Sequence, residues 1–199
     1  MGSLIRVEGP QERFVTVGWI KQFIHVDTSA DDERIGGLID GAISYLDGGE
    51  GILGRALYPQ TWRLLLPDWP PNRIIIPLPP LISVTAITYL DSDGVEQTLD
   101  SSLYRVVNNG VMRSYVVRID GASFPNVQVE QCDAVRVLFD AGYRSEASPE
   151  DNAVPEALRQ AVVMIVRSWY DDPTSDIPEV VKSLITPFKV NRLGPAYGD

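Results

Sequence analysis

The run Asp31-Asp32-Glu33-Arg34-Ile35-Gly36-Gly37-Leu38-Ile39-Asp40-Gly41-Ala42-Ile43-Ser44-Tyr45-Leu46-Asp47-Gly48-Gly49 anchors the reading of the chain. Its apolar residues, Ile35, Leu38, Ile39, Ala42, Ile43 and Leu46, recur at three- and four-residue intervals and make one continuous helical face. Asp27-Thr28-Ser29 supplies N-cap residues ahead of it, and the acids at 31–33 suit the positive end of the helix dipole. Asp47-Gly48-Gly49 is a stop. A helix with one apolar face needs a partner. Upstream, Val15, Val17, Trp19, Ile20, Phe23 and Ile24 have the density of a short buried helix. Far downstream, Leu158, Ala161, Val162, Ile165, Val166 and Trp169 make a second strong apolar face. Pro155 stands in its first turn and Asp171-Asp172-Pro173 breaks the pattern. A short helix over 178–185 follows, and 186–199 has too little periodicity to be anything but an extended tail.

Between these ends the pattern changes to strands. Residues 61–66, 73–76, 81–90, 95–99, 104–107, 111–119 and 134–139 are rich in β-branched and aromatic residues. Asp91-Ser92-Asp93-Gly94 and Asn109-Gly110 read as hairpin turns, and prolines at 67, 70, 71, 77, 79 and 80 keep the region from being helical. The expected fold is α+β: amphipathic helices from the two ends packed together, with an inserted antiparallel β unit. The expected division is an N-terminal helical part (1–56), the β unit (57–142), a C-terminal helical part (143–187) and an extended tail (188–199).

Composition narrows the function. The 199 residues are 44% apolar and 22% charged, ordinary globular values. Acids outnumber bases 27 to 17, for a net charge of −10, and Lys and Arg are scattered singly. That disfavours gripping DNA by counterion release, although an acidic wall could line a channel through which DNA slides. Cys132 is the only cysteine, which excludes an internal disulfide and a thiolate zinc cluster. No apolar run approaches a bilayer span, and the first residues lack the layout of a signal peptide, so a soluble intracellular protein is expected.

Candidate chemistry is sparse. Gly49-Glu50-Gly51-Ile52-Leu53-Gly54 matches G-x-G-x-x-G, but with a helix before and a strand after, the reverse of a dinucleotide loop. As a phosphate loop it carries Arg55 and Ala56 where Lys and Ser or Thr belong, so it reads as a flexible helix-to-strand connector. His25, the only histidine, reads as a partly buried structural residue. The acids beside Cys132 disfavour a thiolate. Asp31-Asp32-Glu33 and Asp171-Asp172 lack calcium-loop spacing. Trp62, Trp69, Trp169 and Tyr170 read as core and lid residues. No catalytic, cofactor or metal site is expected. The alternative, a small-ligand or carbohydrate-binding β domain with helical caps, needs a concave aromatic patch, and Trp62, Trp69 and Tyr89 are dispersed.

An ordered series of segments resembles the head–tail connector (adaptor) family of long-tailed phages and phage-derived gene transfer agents. It comprises the Asp31-Asp32 helix start with 35–46, Gly54-Arg55-Ala56-Leu57-Tyr58-Pro59-Gln60-Thr61-Trp62, and Ile76-Pro77-Leu78-Pro79-Pro80-Leu81-Ile82-Ser83-Val84. Tyr89-Leu90-Asp91-Ser92-Asp93-Gly94, 135–139, Ala141-Gly142-Tyr143, Val154-Pro155-Glu156-Ala157-Leu158 and 184–188 complete it. The resemblance implies a virion protein of the neck, assembled in the bacterial cytoplasm, with no active site, cofactor or membrane contact. Its implied partners are the portal protein, the next neck or tail component (a stopper or tail terminator), further copies in a twelve-fold ring, and DNA passing without sequence-specific binding. It also implies that the tail meets the portal through Phe188, Lys189, Val190, Asn191, Arg192, Leu193 and Tyr197.

Overall fold

A computed structural model describes residues 2–10, 14–128, 131–143 and 153–190. Among these residues four helices, α1 (Val17–Ile24), α2 (Asp32–Leu46), α3 (Glu156–Asp171) and α4 (Glu179–Ile185), share one core. The apolar faces of α2 and α3 are buried in it, including Ile35, Ile39, Leu46, Leu158, Val162 and Ile165, with Ile20 from α1 and Val181 and Ile185 from α4. The expected packing of N- and C-terminal helices on each other is what the structure shows.

Local chemistry sets the helix ends. Thr16 accepts the Trp19 N–H and caps α1, while Thr28 caps a single 3-10 turn ahead of α2 by accepting from Ala30. Pro155 and Pro178 stand at the N-caps of α3 and α4, one position outside the first turn.

Among the described residues, eight strands form two antiparallel sheets: β1 (Ser3–Glu8), β2 (Gln60–Leu66), β3 (Arg73–Ile75), β4 (Leu81–Leu90), β5 (Glu96–Thr98), β6 (Tyr104–Val107), β7 (Tyr115–Arg118) and β8 (Val135–Ala141). The larger sheet runs β1-β2-β8-β4-β5 and the smaller β3-β7-β6. Alternation decides which faces meet: Trp62, Leu64 and Leu66 of β2 and Val135, Val137, Phe139 and Ala141 of β8 enter a second core. Ile74 and Val116 close that core from the smaller sheet.

The structure differs from the sequence expectations in three places. Ser3–Glu8 is a strand, not part of a helical segment, and pairs with β2 at the sheet edge. Residues 111–114 belong to a loop rather than to β7, because Asn108 and Asn109 tie it down: Asn108 Oδ1 accepts from Gly110 N, and Asn109 Nδ2 donates to the Arg113 carbonyl. Thr186–Phe188 is a 3-10 turn, not the extended chain expected from residue 186 on.

Candidate functional site

The segment after α2 joins the two cores. Asp47, 5% exposed, accepts the Leu57 N–H at 2.6 Å and the Gln60 amide at 3.0 Å on each oxygen, with Arg6 Nη2 3.6 Å away. Burial pushes its carboxyl above the usual aspartate value, against these lowering contacts. The glycine-rich run that follows is the expected connector from α2 to the strands, mostly buried and hydrogen-bonded, with Glu50 exposed. Gly48 donates to the Arg55 carbonyl, Ile52 to Tyr45, Leu53 to Leu46 and Gly54 to Gly51. A Cβ at Gly51 would lie 2.2 Å from the Asp47 carbonyl oxygen, so the close backbone approach itself requires glycine. These N–H groups are spent on carbonyls of the chain, which is the physical reason a phosphate finds no cradle there.

Arg55 emerges from this connector into the interior, at 5% exposure. Its Nε donates to the Phe188 carbonyl at 2.7 Å and its Nη1 to the Tyr143 hydroxyl at 2.6 Å. Val190 N donates to the Leu53 carbonyl, so the C-terminal segment is fastened to the connector at two points. Phe188 packs against the helical core and Lys189 is exposed. Asn191, Arg192, Leu193 and Tyr197, expected with them at a portal contact, lie outside the described residues.

A cleft of about 580 Å³ opens where this segment meets the loop between β6 and β7. Ile75, Pro79, Val111, Met112, Pro187 and Val190 supply its apolar lining. Arg55, Arg73, Arg113 and Lys189 supply charge, and no acid is among its described lining residues. Arg73 lies over the Tyr115 ring, and Met112 and Val111 are 67% and 46% exposed. This convergence of four cations in a chain of net charge −10 is invisible in the sequence, where they are 134 positions apart from first to last (189 − 55). The signal that was present is Arg55 itself, a charge inside an otherwise apolar stretch, 53–58.

Other expected sites resolve simply. His25 is exposed, not partly buried, and ends α1 in the left-handed conformation at φ 56°. Cys132 is free and exposed. Tyr170, next to Asp171, donates its hydroxyl to Asp31 at 2.8 Å, and that hydrogen bond holds the phenol above its usual range. Asp32 pairs with Lys21. Among the described residues no group of three or more His, Cys, Asp or Glu could hold a metal, and no helix is long and apolar enough to cross a membrane. Trp62 is buried beneath Arg6, whereas Trp69, Tyr89 and Phe124 cluster with ring separations of 5.8 and 4.6 Å. The Trp69 indole N–H is bonded to the Pro125 carbonyl, so this cluster stabilises a loop on the β core.

No protein family matches the sequence, and no curated protein matches it. Solved structures do match in fold. A chain of the virion of a native gene transfer agent particle superposes with a TM-score of 0.74 and 24% identity, covering 97% of this chain and 98% of that one. A chain from the neck of the empty particle, computed with C6 symmetry, gives 0.74 and 24% over 98% and 99%. One from the neck of the native particle, computed with C12 symmetry, gives 0.73 and 24% over 98% and 99%. At that identity the likeness is one of fold, and it runs nearly end to end in both directions.

Proposed function

We propose that this chain is a structural component of the neck of a phage or phage-like gene transfer particle, a head–tail connector that forms a ring between portal and tail. DNA passes through the lumen of that ring, and the chain catalyses nothing. The observation that carries this reading is the end-to-end correspondence of fold with chains from necks computed with C6 and C12 symmetry. Scattered exposed apolar residues, Ile5 and Val7 on β1, Val111 and Met112 beside the cleft, and Val180 on α4, are compatible with surface that neighbours complete. The fastening of Phe188 and Val190 to the connector supports a role for the following residues in reaching the portal, since a docking tail needs a fixed point of departure.

The carbohydrate-binding alternative is not favoured. Its aromatics divide between a buried Trp62 and a Trp69 cluster whose rings pack on each other. The deciding experiment is a pull-down and negative-stain imaging of the chain with the portal encoded in the same genome, with light scattering of the chain alone. A ring seated on the portal is expected. A chain that never binds the portal and stays a monomer overturns the reading. Truncation after Thr186 is expected to abolish seating, and normal seating by the truncated chain removes the tail from the contact.

A further inference from the structure

The cleft and an acidic exposed segment lie at opposite ends of α2. At the C-terminal end, Asp47 accepts the Leu57 N–H and the Gly48 N–H donates to the Arg55 carbonyl, which places the cleft there. At the N-terminal end, Asp31 and Arg34 bond Tyr170, which places the α3–α4 connection there. α2 has 15 residues, so the two sites are separated by roughly 22 Å along its axis. The connection and the helix ends flanking it, 171–180, carry Asp171, Asp172, Asp176 and Glu179, and present Val180 at 57% exposure. Asp172 is held ionised by the Thr174 N–H and hydroxyl, which keep its carboxyl below the usual range. The segment is therefore acidic with an apolar element, and the cleft is cationic with an apolar floor. Within one chain the helices hold them apart.

We infer that the cleft lined by Arg73, Arg113, Lys189 and Met112 takes the acidic α3–α4 connection of a second copy of this chain. Such a contact joins two different surfaces of the same molecule, so it propagates head to tail and closes into a ring when the rotation between copies closes. It rests on the ring reading above and specifies which faces meet. Opposite charge fixes the direction of addition, because acid against acid and cation against cation are both repelled.

The experiment uses two charge-reversed forms of the full chain. One carries Arg73→Glu with Lys189→Glu; the other carries Asp171→Lys, Asp172→Lys and Asp176→Lys. All five positions are exposed, and circular dichroism checks that each form folds. Ring formation on the portal is measured by negative stain and sedimentation. Each form alone is expected to lose assembly by about tenfold or more, and an equal mixture is expected to recover it, because each cleft then meets a connection of opposite sign. Wild-type-like rings from either form alone, or a mixture that fails to recover, overturn this contact while leaving the neck reading intact. A wild-type chain that forms no ring at all overturns both.

Discussion

Arg55 and Phe188, 133 positions apart, are joined by a hydrogen bond of 2.7 Å from the guanidinium Nε to the backbone carbonyl. The same guanidinium holds the Tyr143 hydroxyl at 2.6 Å. One buried cation thus ties the connector after α2, the end of β8 and the start of the C-terminal segment. An arginine is suited to this because its planar fork presents two donors in fixed directions.

Replacing Arg55 by Met is therefore expected to lower stability by about 1–3 kcal/mol, since it leaves the Tyr143 hydroxyl and Phe188 carbonyl without their donor. Cleavage after Phe188 or Lys189 by limited proteolysis is expected to speed up by more than global stability alone accounts for. Arg55→Lys is expected to rescue only part, because an ammonium reaches two divergent acceptors poorly. Equal protease resistance in all three chains counts against the tether.

Asp47 gives a pH dependence with a definite sign. Burial raises its folded-state pKa above 3.8, so the folded chain keeps a proton that the unfolded chain has lost. Its contribution to stability is full below that ordinary value and is lost as pH rises through the raised one. Urea titrations across this window are expected to show stability from this group falling with pH, and Asp47→Asn is expected to remove that slope. Asp47→Ala is expected to cost about 2–3 kcal/mol, because the Leu57 N–H and the Gln60 amide lose a buried acceptor.

Gly142 and Gly110 both have positive φ, 137° and 59°, but only one is crowded. A Cβ at 142 would lie 1.9 Å from the Tyr58 carbonyl oxygen, whereas nothing lies within 4 Å of one at 110. Gly110→Ala is expected to cost about 1–2 kcal/mol from backbone strain alone. Gly142→Ala is expected to cost more than about 3 kcal/mol or to prevent soluble expression, because backbone must move. Thermal melts of the two variants side by side test the comparison.

Trp69→Ala is expected to lower stability by about 2–3 kcal/mol through loss of its packing on Tyr89 and Phe124 and of its bond to Pro125. Sugar binding, tested by glycan array, is expected to be absent in both wild type and variant. Binding in the wild type that the variant loses would restore the ligand-binding alternative.

The helices were legible because their signal is local. Ile35 to Leu46 and Leu158 to Trp169 carry their periodicity in plain view, and the Asp47-Gly48-Gly49 stop ended α2 where expected. β1 was not, because only Leu4 of its six residues is better than exposed and its partner β2 lies over fifty positions away. The loop at 108–114 was misread as a two-residue turn because the side chains that enlarge it, Asn108, Asn109 and Ser114, bond the backbone in ways periodicity does not register. His25 was expected to be partly buried on the strength of its apolar neighbours, but it ends α1 in the left-handed conformation with its side chain exposed.

Two things were determined by the sequence alone: two amphipathic helical ends around a strand-rich middle, and the lack of a motif with the order or spacing a catalytic or nucleotide site needs. Hydrophobic periodicity and motif spacing are properties of neighbouring residues, so a linear reading captures them. The tertiary structure decided everything that depends on convergence. It set the burial of the glycine-rich connector against Asp47, the tether from Arg55 to Phe188, and the gathering of four scattered cations at one cleft with the acids at the far end of α2. Charge acts through space rather than along the chain, so a balance that looks uniformly acidic in sequence becomes two opposed surfaces once the helices fix the distance between them.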